Sequence, residues 1–304
     1  MPSSLIVAAP PVATPASAAS ITLPGTPVDM VFSPSGHRLY TANIDDDSVS
    51  VVNPATGAVL SRIPVQYRPN SIALSPDGTT LVTGHNDVRG LTVITLATGV
   101  TRELYTSNRT NDLLFSSDGT KLFVTSASHW INVRPVPSFA EGTYIDMPYP
   151  TAGLHRQPGT DFIWTGQADP SPFYLHRFNE RTRATQLMSG AGYTGGSLAF
   201  PAGDERVFGP PGYGAAFVLD LSYVGNVKWR RTLGIANDAA TNLVTTLDRS
   251  VVLGSTSRTT MLVIDPLAER VIDEIDIGQS QASIAVRPVV GDVWLGVENG
   301  LVNV

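Results

Sequence analysis

Residues 28–43 of the chain read VDMVFSPSGHRLYTAN, which is a short apolar strand, a Ser-Pro-Ser-Gly turn and a second apolar strand. The same pattern returns at residues 70–85 (NSIALSPDGTTLVTGH) and at residues 111–126 (NDLLFSSDGTKLFVTS). An Asp side chain caps its own turn and Gly accepts a positive φ angle, so both favour a tight turn between the strands. These segments predict three copies of one β-hairpin.

Four weaker copies follow in the second half of the chain, and an apolar anchor position shared by the copies lets their spacing be compared. The separations between successive anchors, roughly 40–45 residues, are typical of a propeller blade. The alternation of the strands excludes helical repeats of a similar period. The anchors that we take as equivalent are Phe32, Leu74, Phe115, His155, Phe200, Val244 and Val286.

The sequence therefore predicts an all-β chain that forms a single domain, residues 1–304. We expect a seven-bladed β-propeller of four-stranded antiparallel blades. The last repeat ends after a third strand, so the N-terminal closing segment, residues 1–27, is predicted to supply the missing strand, with Ser20–Leu23 paired in the C-terminal blade. Such closure removes free sheet edges. The blades are predicted to start near residues 28, 70, 111, 151, 196, 240 and 282.

Composition excludes several classes of function. The 304 residues include no cysteine, 20 Lys and Arg against 26 Asp and Glu, and carry a net charge of −6. Without cysteine there is no disulfide framework, thiolate nucleophile or thiolate metal ligand. The acidic balance argues against nucleic acid as a partner, and no segment approaches the roughly 20 apolar residues that a membrane span needs. We expect a monomer with a small-molecule ligand.

The N-terminal segment is open to two interpretations. Its apolar start and the small residues around Ala16–Ala18 resemble a signal peptide, but it lacks a basic beginning and prolines interrupt it. A β-strand at Leu5–Ala9 followed by a loop is the interpretation that we favour. That strand would compete with Leu301–Val304 for the third position of the last blade. The localisation, cytoplasmic or secreted, stays open.

Two motifs carry a resemblance to a known family. Turns of the form Ser-Pro-(Ser/Asp)-Gly-x-x-Leu-(Tyr/Val) and strands of the form Val-x-Val-x-(Asn/Asp)-Pro-Ala-Thr-Gly resemble the YVTN-type repeats of bacterial surface-layer and lactonase-like propellers. The resemblance covers residues 20–304 and is specific in the first, second and sixth repeats. It implies a seven-bladed propeller. It implies little about function, because that superfamily includes lactonases, lyases, cofactor-bearing dehydrogenases and structural modules.

The predicted site lies where the loops entering the first strand of each blade meet the loops joining strands two and three. Loops on a rigid frame usually carry the function of a propeller. His85 and His129 are predicted in such loops, with Trp130 beside the second, and Arg68 and Arg109 lie in intervening loops. Imidazole and guanidinium groups together suit an anionic or enolate ligand. We expect one of the two histidines to move the proton.

Further side chains are candidates with an alternative structural interpretation. His155 stands where the other repeats have apolar residues, so it is either a catalytic channel-side imidazole or a hydrogen-bonded core histidine. Asn70 and Asn111 share one position in adjacent blades and either hold a ligand or cap their loops. Glu298 completes the catalytic candidates. The aromatic walls of the ligand site are assigned to Tyr67, Tyr193 and Tyr213, whereas His37 and His176 are expected to be dispensable.

No organic cofactor and no transition metal is predicted, since there is neither cysteine nor a spaced histidine pair. A weakly held calcium or magnesium ion is compatible with the sequence. Residues 43–47 (NIDDD) have the oxygen density of a calcium site without the spacing of a calcium loop. The resemblance to lactonase-like propellers implies an ion near Glu298, Asn237 and Asn111, although no motif fixes these residues.

Two functions remain open from the sequence. The first is a small-molecule enzyme of lactonase, lyase or cyclase type, working by acid/base and electrostatic catalysis at the mouth of the axial channel. The alternative is a non-catalytic propeller that acts as a protein- or peptide-binding scaffold. The sequence contains no Gly-x-Ser-x-Gly elbow, no phosphate-binding loop and no His-Glu-x-x-His motif.

Overall fold

The computed structural model describes residues 19–167, 174–190, 197–203, 206–209, 216–220, 228–233 and 240–304. These residues form strands throughout, and none of them belongs to a helix that could cross a membrane. The first strands are β1 Ala19–Thr22, β2 Pro27–Phe32, β3 Leu39–Asn43, β4 Ser48–Asn53, β5 Ala58–Pro64, β6 Pro69–Leu74, β7 Thr80–His85, β8 Gly90–Thr95 and β9 Val100–Tyr105. The middle strands are β10 Thr110–Phe115, β11 Lys121–Ser126, β12 Trp130–Pro135, β13 Thr143–Asp146, β14 Thr151–Arg156, β15 Phe162–Gln167, β16 Tyr174–Asn179 and β17 Thr185–Gly190. The last are β18 Arg206–Gly209, β19 Ala216–Asp220, β20 Lys228–Leu233, β21 Ala240–Thr245, β22 Val252–Thr256, β23 Thr260–Asp265, β24 Arg270–Asp276, β25 Gln281–Val286, β26 Val293–Val297 and β27 Gly300–Asn303.

The strands form antiparallel sheets that follow one another along the chain. Sheets 1 to 4 are β2–β5, β6–β9, β10–β13 and β14–β17, sheet 5 is β18–β20, sheet 6 is β21–β24, and sheet 7 has the order β1-β27-β26-β25. Six of these sheets have four strands in the described residues, and these are the blades of a β-propeller. Sheet 5 has three strands there, with one bridge between Ala199 and Phe208 beside it. The expectation of seven four-stranded blades is therefore corrected to six.

The inner strands of the four-stranded sheets are β2, β6, β10, β14, β21 and, in sheet 7, β25. Inner strands of neighbouring sheets contact each other around the axis. They begin at Pro27, Pro69, Thr110, Thr151, Ala240 and Gln281, each within one residue of a predicted blade start. The outermost strands are mostly exposed, whereas the second and third strands are almost entirely buried. Both faces of a blade are covered by neighbours, which explains why these middle strands are apolar without alternation.

The hydrophobic core consists of separate clusters between consecutive sheets. Trp164 of sheet 4 packs with Phe200 and Val207, and Phe208 of sheet 5 packs with Leu243 of sheet 6. Sheet 5 thus lies between sheets 4 and 6 and contributes to both clusters. Burying such large side chains between sheets provides most of the stabilisation of a β architecture.

The turns predicted from the repeat form as expected in the first three sheets. Gly36, Gly78 and Gly119 have φ angles of 70°, 71° and 70°, which only Gly adopts without strain. In the second turn Asp77 accepts hydrogen bonds from the Ser75 hydroxyl at 2.5 Å and from the Thr79 amide at 3.1 Å. The Ser-x-Asp-Gly motif therefore sets the hairpin by local bonds alone.

The ring is closed by the N-terminal strand. β1 pairs with β27, with Ala19 opposite Asn303 and Thr22 opposite Gly300, and Leu23 continues into the core of sheet 7. The predicted pairing of Ser20–Leu23 in the C-terminal blade is confirmed. The segment Leu5–Ala9, for which the sequence predicts a strand, lies outside the described residues.

Candidate functional site: the axial channel and its cavity

The third residue of inner strands β2 and β10 is an aspartate that contacts the next sheet. Asp29 accepts hydrogen bonds from the Met30 amide of its own strand and from the Ile72 amide of sheet 2, both at 2.8 Å. Asp112 does the same with the amides of Leu113 and Leu154, both at 2.7 Å. Each carboxylate therefore joins the inner edges of two neighbouring sheets.

Position and environment raise the pKa of both carboxyl groups. Burial raises the pKa of Asp29 to about 7, and the charge of Asp112 adds to this effect, while the two amide hydrogen bonds oppose it. Burial likewise raises the pKa of Asp112 to about 6 against its own two amide bonds. Two carboxyl groups that titrate near neutrality at the axis are a feature of functional sites.

Other sheets use neutral side chains for the same contact. The Ser197 hydroxyl donates to the Leu243 carbonyl at 2.9 Å and accepts from the Leu243 amide at 2.8 Å. Ser283 donates to the carbonyl of Pro27 at 2.5 Å across the closure of the ring. Asp29 and Asp112 thus make a contact that serine side chains make between other sheets, so the contact itself does not require a carboxylate.

A cavity of about 510 Å³ opens at the end of the channel where the inner strands finish and the turns to the second strands begin; we call this end the turn face. Its walls come from β14, β21, β25 and the segment Ser197–Phe200, so four consecutive sheets contribute. The volume is in the range of small-molecule sites. The other described residues of the predicted site lie, apart from His155, at the opposite end of the channel, which we call the entry face. The cavity lining includes Leu154, His155, Leu198, Phe200, Leu243, Val244, Leu247 and Val286.

The arginines in the cavity wall form hydrogen bonds and an ion pair with other residues of the protein. The Arg156 guanidinium forms an ion pair with Glu180 at 2.8 Å and donates to the Phe115 carbonyl at 2.7 Å. Arg249 donates to the carbonyls of Phe200 and Pro201 at 2.9 and 2.8 Å. The cavity therefore offers more apolar than polar surface, and His155 is one of the titratable groups that line it.

His155 connects the cavity to the axial carboxyl groups. It is half-buried on β14, two residues after Gly153. A methyl group on Gly153 would lie 2.7 Å from Nε2 of His155 and 3.5 Å from Oδ2 of Asp112. The imidazole and the carboxylate therefore approach the same point, and the missing side chain of Gly153 makes the space for them. This arrangement places the imidazole in the cavity wall, with the carboxyl group of raised pKa on the neighbouring inner strand.

The register of His155 differs from the predicted one. In β14 the residue opposite Ile163 is Arg156, as Leu122 is opposite Phe115 in sheet 3. The anchor of the fourth repeat is therefore Arg156, one residue after His155, and in the sixth repeat it is Thr245 and not Val244. His155 is equivalent to small or apolar inner-strand residues, namely Val31, Ala73, Leu114, Val244 and Ala285.

His85 is not a loop residue, contrary to expectation. It is the last residue of β7, fully buried, and its Nδ1 donates to the Tyr67 carbonyl at 3.2 Å. Its Nε2 then accepts from the hydroxyls of Thr83 and Thr92, at 3.1 and 3.2 Å. Burial lowers the pKa of His85. Asn43 has the same position in sheet 1 and bonds in the same way, so this position holds a buried polar link between strands.

The remaining entry-face residues do not converge on one pocket. Arg68 is paired with Asp87 at 2.8 Å, while the side chains of His129, Arg109 and Tyr67 are exposed. Trp130 is half exposed and contacts Tyr144 edge to face, with ring centroids 6.1 Å apart. No hydrogen bond or ion pair of the described residues joins these imidazole and guanidinium groups, and the expected cluster stays a prediction.

The side-chain amides of Asn70 and Asn111 bond to the backbone of the next sheet. The Asn70 amide donates to the carbonyls of Thr110 and Asn111 at 3.2 and 3.0 Å, and Asn111 donates to the Thr151 carbonyl at 2.9 Å. All three bonds join consecutive inner strands, and the ligand role of the two residues stays a prediction. Glu298 is exposed in the connection between β26 and β27. Tyr193, Tyr213 and Asn237 lie outside the described residues.

Two of the three acidic residues of the 43–47 segment, Asp46 and Asp47, have protein partners. Both carboxylate oxygens of Asp46 accept from Arg62, at 2.5 and 2.6 Å, and Asp47 accepts from the Arg68 amide at 2.8 Å. In the described part of the chain no group of three or more His, Asp or Glu side chains is arranged to hold a metal ion. The suggested weak calcium or magnesium ion gains no support from these contacts.

Sequence reasoning missed Asp29, Asp112 and the cavity. The signal was present for the two acids, because both stand immediately before an apolar inner-strand pair in repeats one and three. His176, expected to be dispensable on β16, is 3% exposed, and burial lowers its pKa to about 4. Its ring packs near Tyr149, so its role is in the packing of sheet 4.

Comparisons with known proteins identify the fold and no more. No protein-family model matches the chain. No curated protein matches it either. A solved chain of hydrazine synthase from Kuenenia stuttgartiensis is similar over 97% of both chains, with a TM-score of 0.78 and 12% sequence identity. At that identity the likeness shows a β-propeller, and the YVTN-type or lactonase-like family is not confirmed. In all, 1811 solved chains match, so the fold does not select a function.

Proposed function

We propose that the protein is a small-molecule enzyme of lactonase, lyase or cyclase type whose site is the cavity on the turn face of the axial channel. The observation that supports it is that His155 lines a cavity of about 510 Å³, while its Nε2 and Oδ2 of Asp112 both approach the position that a side chain on Gly153 would fill. Imidazole and carboxyl groups are the side chains that most often act as general acids and bases. The similar solved structure is an enzyme by its name, which is compatible with the proposal.

His155 is the proposed proton-handling group, in place of His85 or His129. His85 has all of its ring nitrogens occupied by Thr83, Thr92 and Tyr67, so a proton leaves or enters it only by breaking buried bonds. Asp112 is the positioning partner of the imidazole. The sequence-based roles of His129, Arg109 and Glu298 stay predictions, and no contact in the described residues supports them.

The composition of the cavity favours a largely apolar substrate with one polar group. The two arginines in its wall are neutralised or held by carbonyls, so the anionic or enolate ligand expected from the sequence is not what this cavity favours. A medium-length γ- or δ-lactone combines an apolar chain with one polar ring. That chemistry agrees with the lactonase alternative within the proposal.

The experiment is a screen of γ- and δ-lactones by proton release, followed by single substitutions assayed on the active compound. His155→Ala is expected to reduce kcat/KM by about 10²–10⁴, the scale for loss of a general acid or base. His37→Ala is the matched control, because His37 is an exposed turn residue on the same face. Equal effects of the two substitutions, or no effect of His155→Ala, would contradict the assignment.

One observation favours the alternative of a peptide-binding scaffold. Tyr105, Trp130 and Tyr144 are 71%, 50% and 45% exposed on sheets 2 and 3, and solvent-exposed aromatic side chains are common in protein interfaces. If this surface is the functional one, peptides selected on the native protein from a display library will lose binding with Trp130→Ala. They will keep it with His155→Ala, which separates the two functions.

A further inference from the structure

Arg134 stands at a position that is otherwise part of the hydrophobic core. It lies opposite Leu122 in the pairing of β11 and β12. It is only 2% exposed, which is unusual for Arg. Its equivalents in other sheets are fully buried apolar residues, namely Val52, Ile94, Phe178 and Ile264. The third repeat therefore replaces a core side chain by a charged group.

The bonds of Arg134 leave its charge uncompensated. Nη1 donates to the Phe139 carbonyl at 2.8 Å and Nη2 to the Tyr105 carbonyl at 3.4 Å, whereas Nε is buried without a hydrogen-bond partner. No carboxylate oxygen of the described residues lies within 4.0 Å of it. The charge of Glu141 attracts the guanidinium from beyond that distance, while its carboxylate accepts hydrogen bonds from Ser107 and Tyr144. A buried cation whose hydrogen bonds go to neutral carbonyls is costly, so an additional anion close to it is favoured.

The Arg134 side chain lines a small pocket. This pocket lies between the end of β9 and sheet 3, has a volume of about 20 Å³, and is lined by Arg134, Asn132, Ser126, Ser128 and Thr106. That volume accommodates one water-sized group. The hydroxyls of the lining are bonded to one another or to carbonyls: Thr106 donates to the Asn108 carbonyl, and Ser126 and Ser128 bond to each other. The buried Nε of Arg134 is therefore the donor that this pocket offers to one small acceptor.

We propose that this pocket binds one compact monovalent anionic group, with Arg134 as its charge partner. The group is either a free inorganic anion of the size of chloride or the carboxylate end of a small organic acid. Trp130 forms part of the wall and is half exposed, so it marks the side from which an organic acid would enter. The site is separate from the cavity around His155 and does not depend on the function proposed for it.

The test compares the unmodified protein with Arg134→Met and with Arg270→Met. Methionine resembles the apolar equivalents of Arg134 in volume, and Arg270 is an exposed arginine of β24 that controls for the loss of one charge. Thermal unfolding is followed in sodium chloride, sodium acetate and sodium sulfate at matched ionic strength. Chloride or acetate is expected to raise the Tm of the unmodified protein and of Arg270→Met by about 2–4 °C more than that of Arg134→Met.

Comparing the shifts in chloride and in acetate distinguishes an inorganic anion from a carboxylate. A shift with chloride alone identifies an inorganic anion, and a larger shift with acetate identifies a carboxylate. Equal shifts in all three proteins, or none in the unmodified protein, would overturn the proposal. The line width of the ³⁵Cl NMR resonance is a measurement that needs no variant. The protein is expected to broaden this line, and added acetate is expected to narrow it again. Absence of that broadening together with no acetate effect on Tm also overturns it.

Discussion

Asp29 and Asp112 show how one side-chain type serves both the ring and its chemistry. An inner strand has a free edge toward the axis, and its amides there need acceptors. Each carboxylate accepts hydrogen bonds from two such amides, one on its own sheet and one on the next sheet. A hydroxyl would have to accept both bonds at its single oxygen. The cost is that two acids are held close to the axis, where burial disfavours their charged forms.

The raised pKa values make the stability of the protein depend on pH in a defined direction. The pKa of Asp29 is about 7 in the folded protein and 3.8 in an unfolded chain, so between these values the folded state holds a proton that the unfolded state releases. The free energy of unfolding contributed by Asp29 is therefore highest below pH 4, falls as the pH rises to about 7, and is constant above it.

Asp29→Asn is expected to remove this dependence. The Tm of the variant minus the Tm of the unmodified protein, measured from pH 4 to pH 8, should increase as the pH rises to 7. Asp118→Asn is the control, because hydrogen bonds from Ser116 and Thr120 hold the pKa of Asp118 well below its usual range. Its difference curve should be flat above about pH 5. A flat curve for Asp29→Asn would show that Asp29 is ionised throughout.

Strand β1 is the element on which closure depends. It contributes four residues to sheet 7, and Leu23, which follows it, is 3% exposed against Trp294 and Leu301. Leu23→Ala is expected to lower the free energy of unfolding by about 2–5 kcal/mol, as buried Leu→Ala substitutions do. Leu60→Ala on β5 is the matched control: this outer-strand leucine is 47% exposed, so a change within about 0.5 kcal/mol is expected.

Chemical denaturation of the two variants measures this difference directly. Equal losses for Leu23→Ala and Leu60→Ala would mean that the segment after β1 adds little to the core of sheet 7. The closure of the ring would then rest on the hydrogen bonds between β1 and β27 alone.

At the level of elements, the repeat was readable from the sequence because its turns are local. Ser75, Asp77 and Gly78 build their turn from contacts within a few residues, so the same letters predict the same hairpin. The register failed in sheets 4 and 6, where Arg156 and Thr245 replace the apolar anchor. Arg156 is half-buried and forms an ion pair with Glu180, the residue that follows β16, and no local pattern predicts that partner.

At the level of the whole molecule, the sequence indicated the propeller architecture, whereas its assignment of the working face to the entry loops stays a prediction. His85 looks like a loop residue because Thr83 and Thr92, which bury it, become neighbours only when β7 and β8 pair. The cavity on the turn face arises from four sheets that are far apart in the chain. Its volume depends on how their side chains pack, and repeat patterns do not encode packing between repeats.

The central claim is that ligands bind beside His155 on the turn face. The chain has five histidines, so long-range ¹H–¹⁵N NMR of the imidazole nitrogens, recorded while γ-nonalactone is added, reports on each of them. The account predicts that the His155 resonances shift saturably while those of His129 and His85 stay in place. Saturable shifts at His129 with none at His155 would place the ligand on the entry face and contradict it.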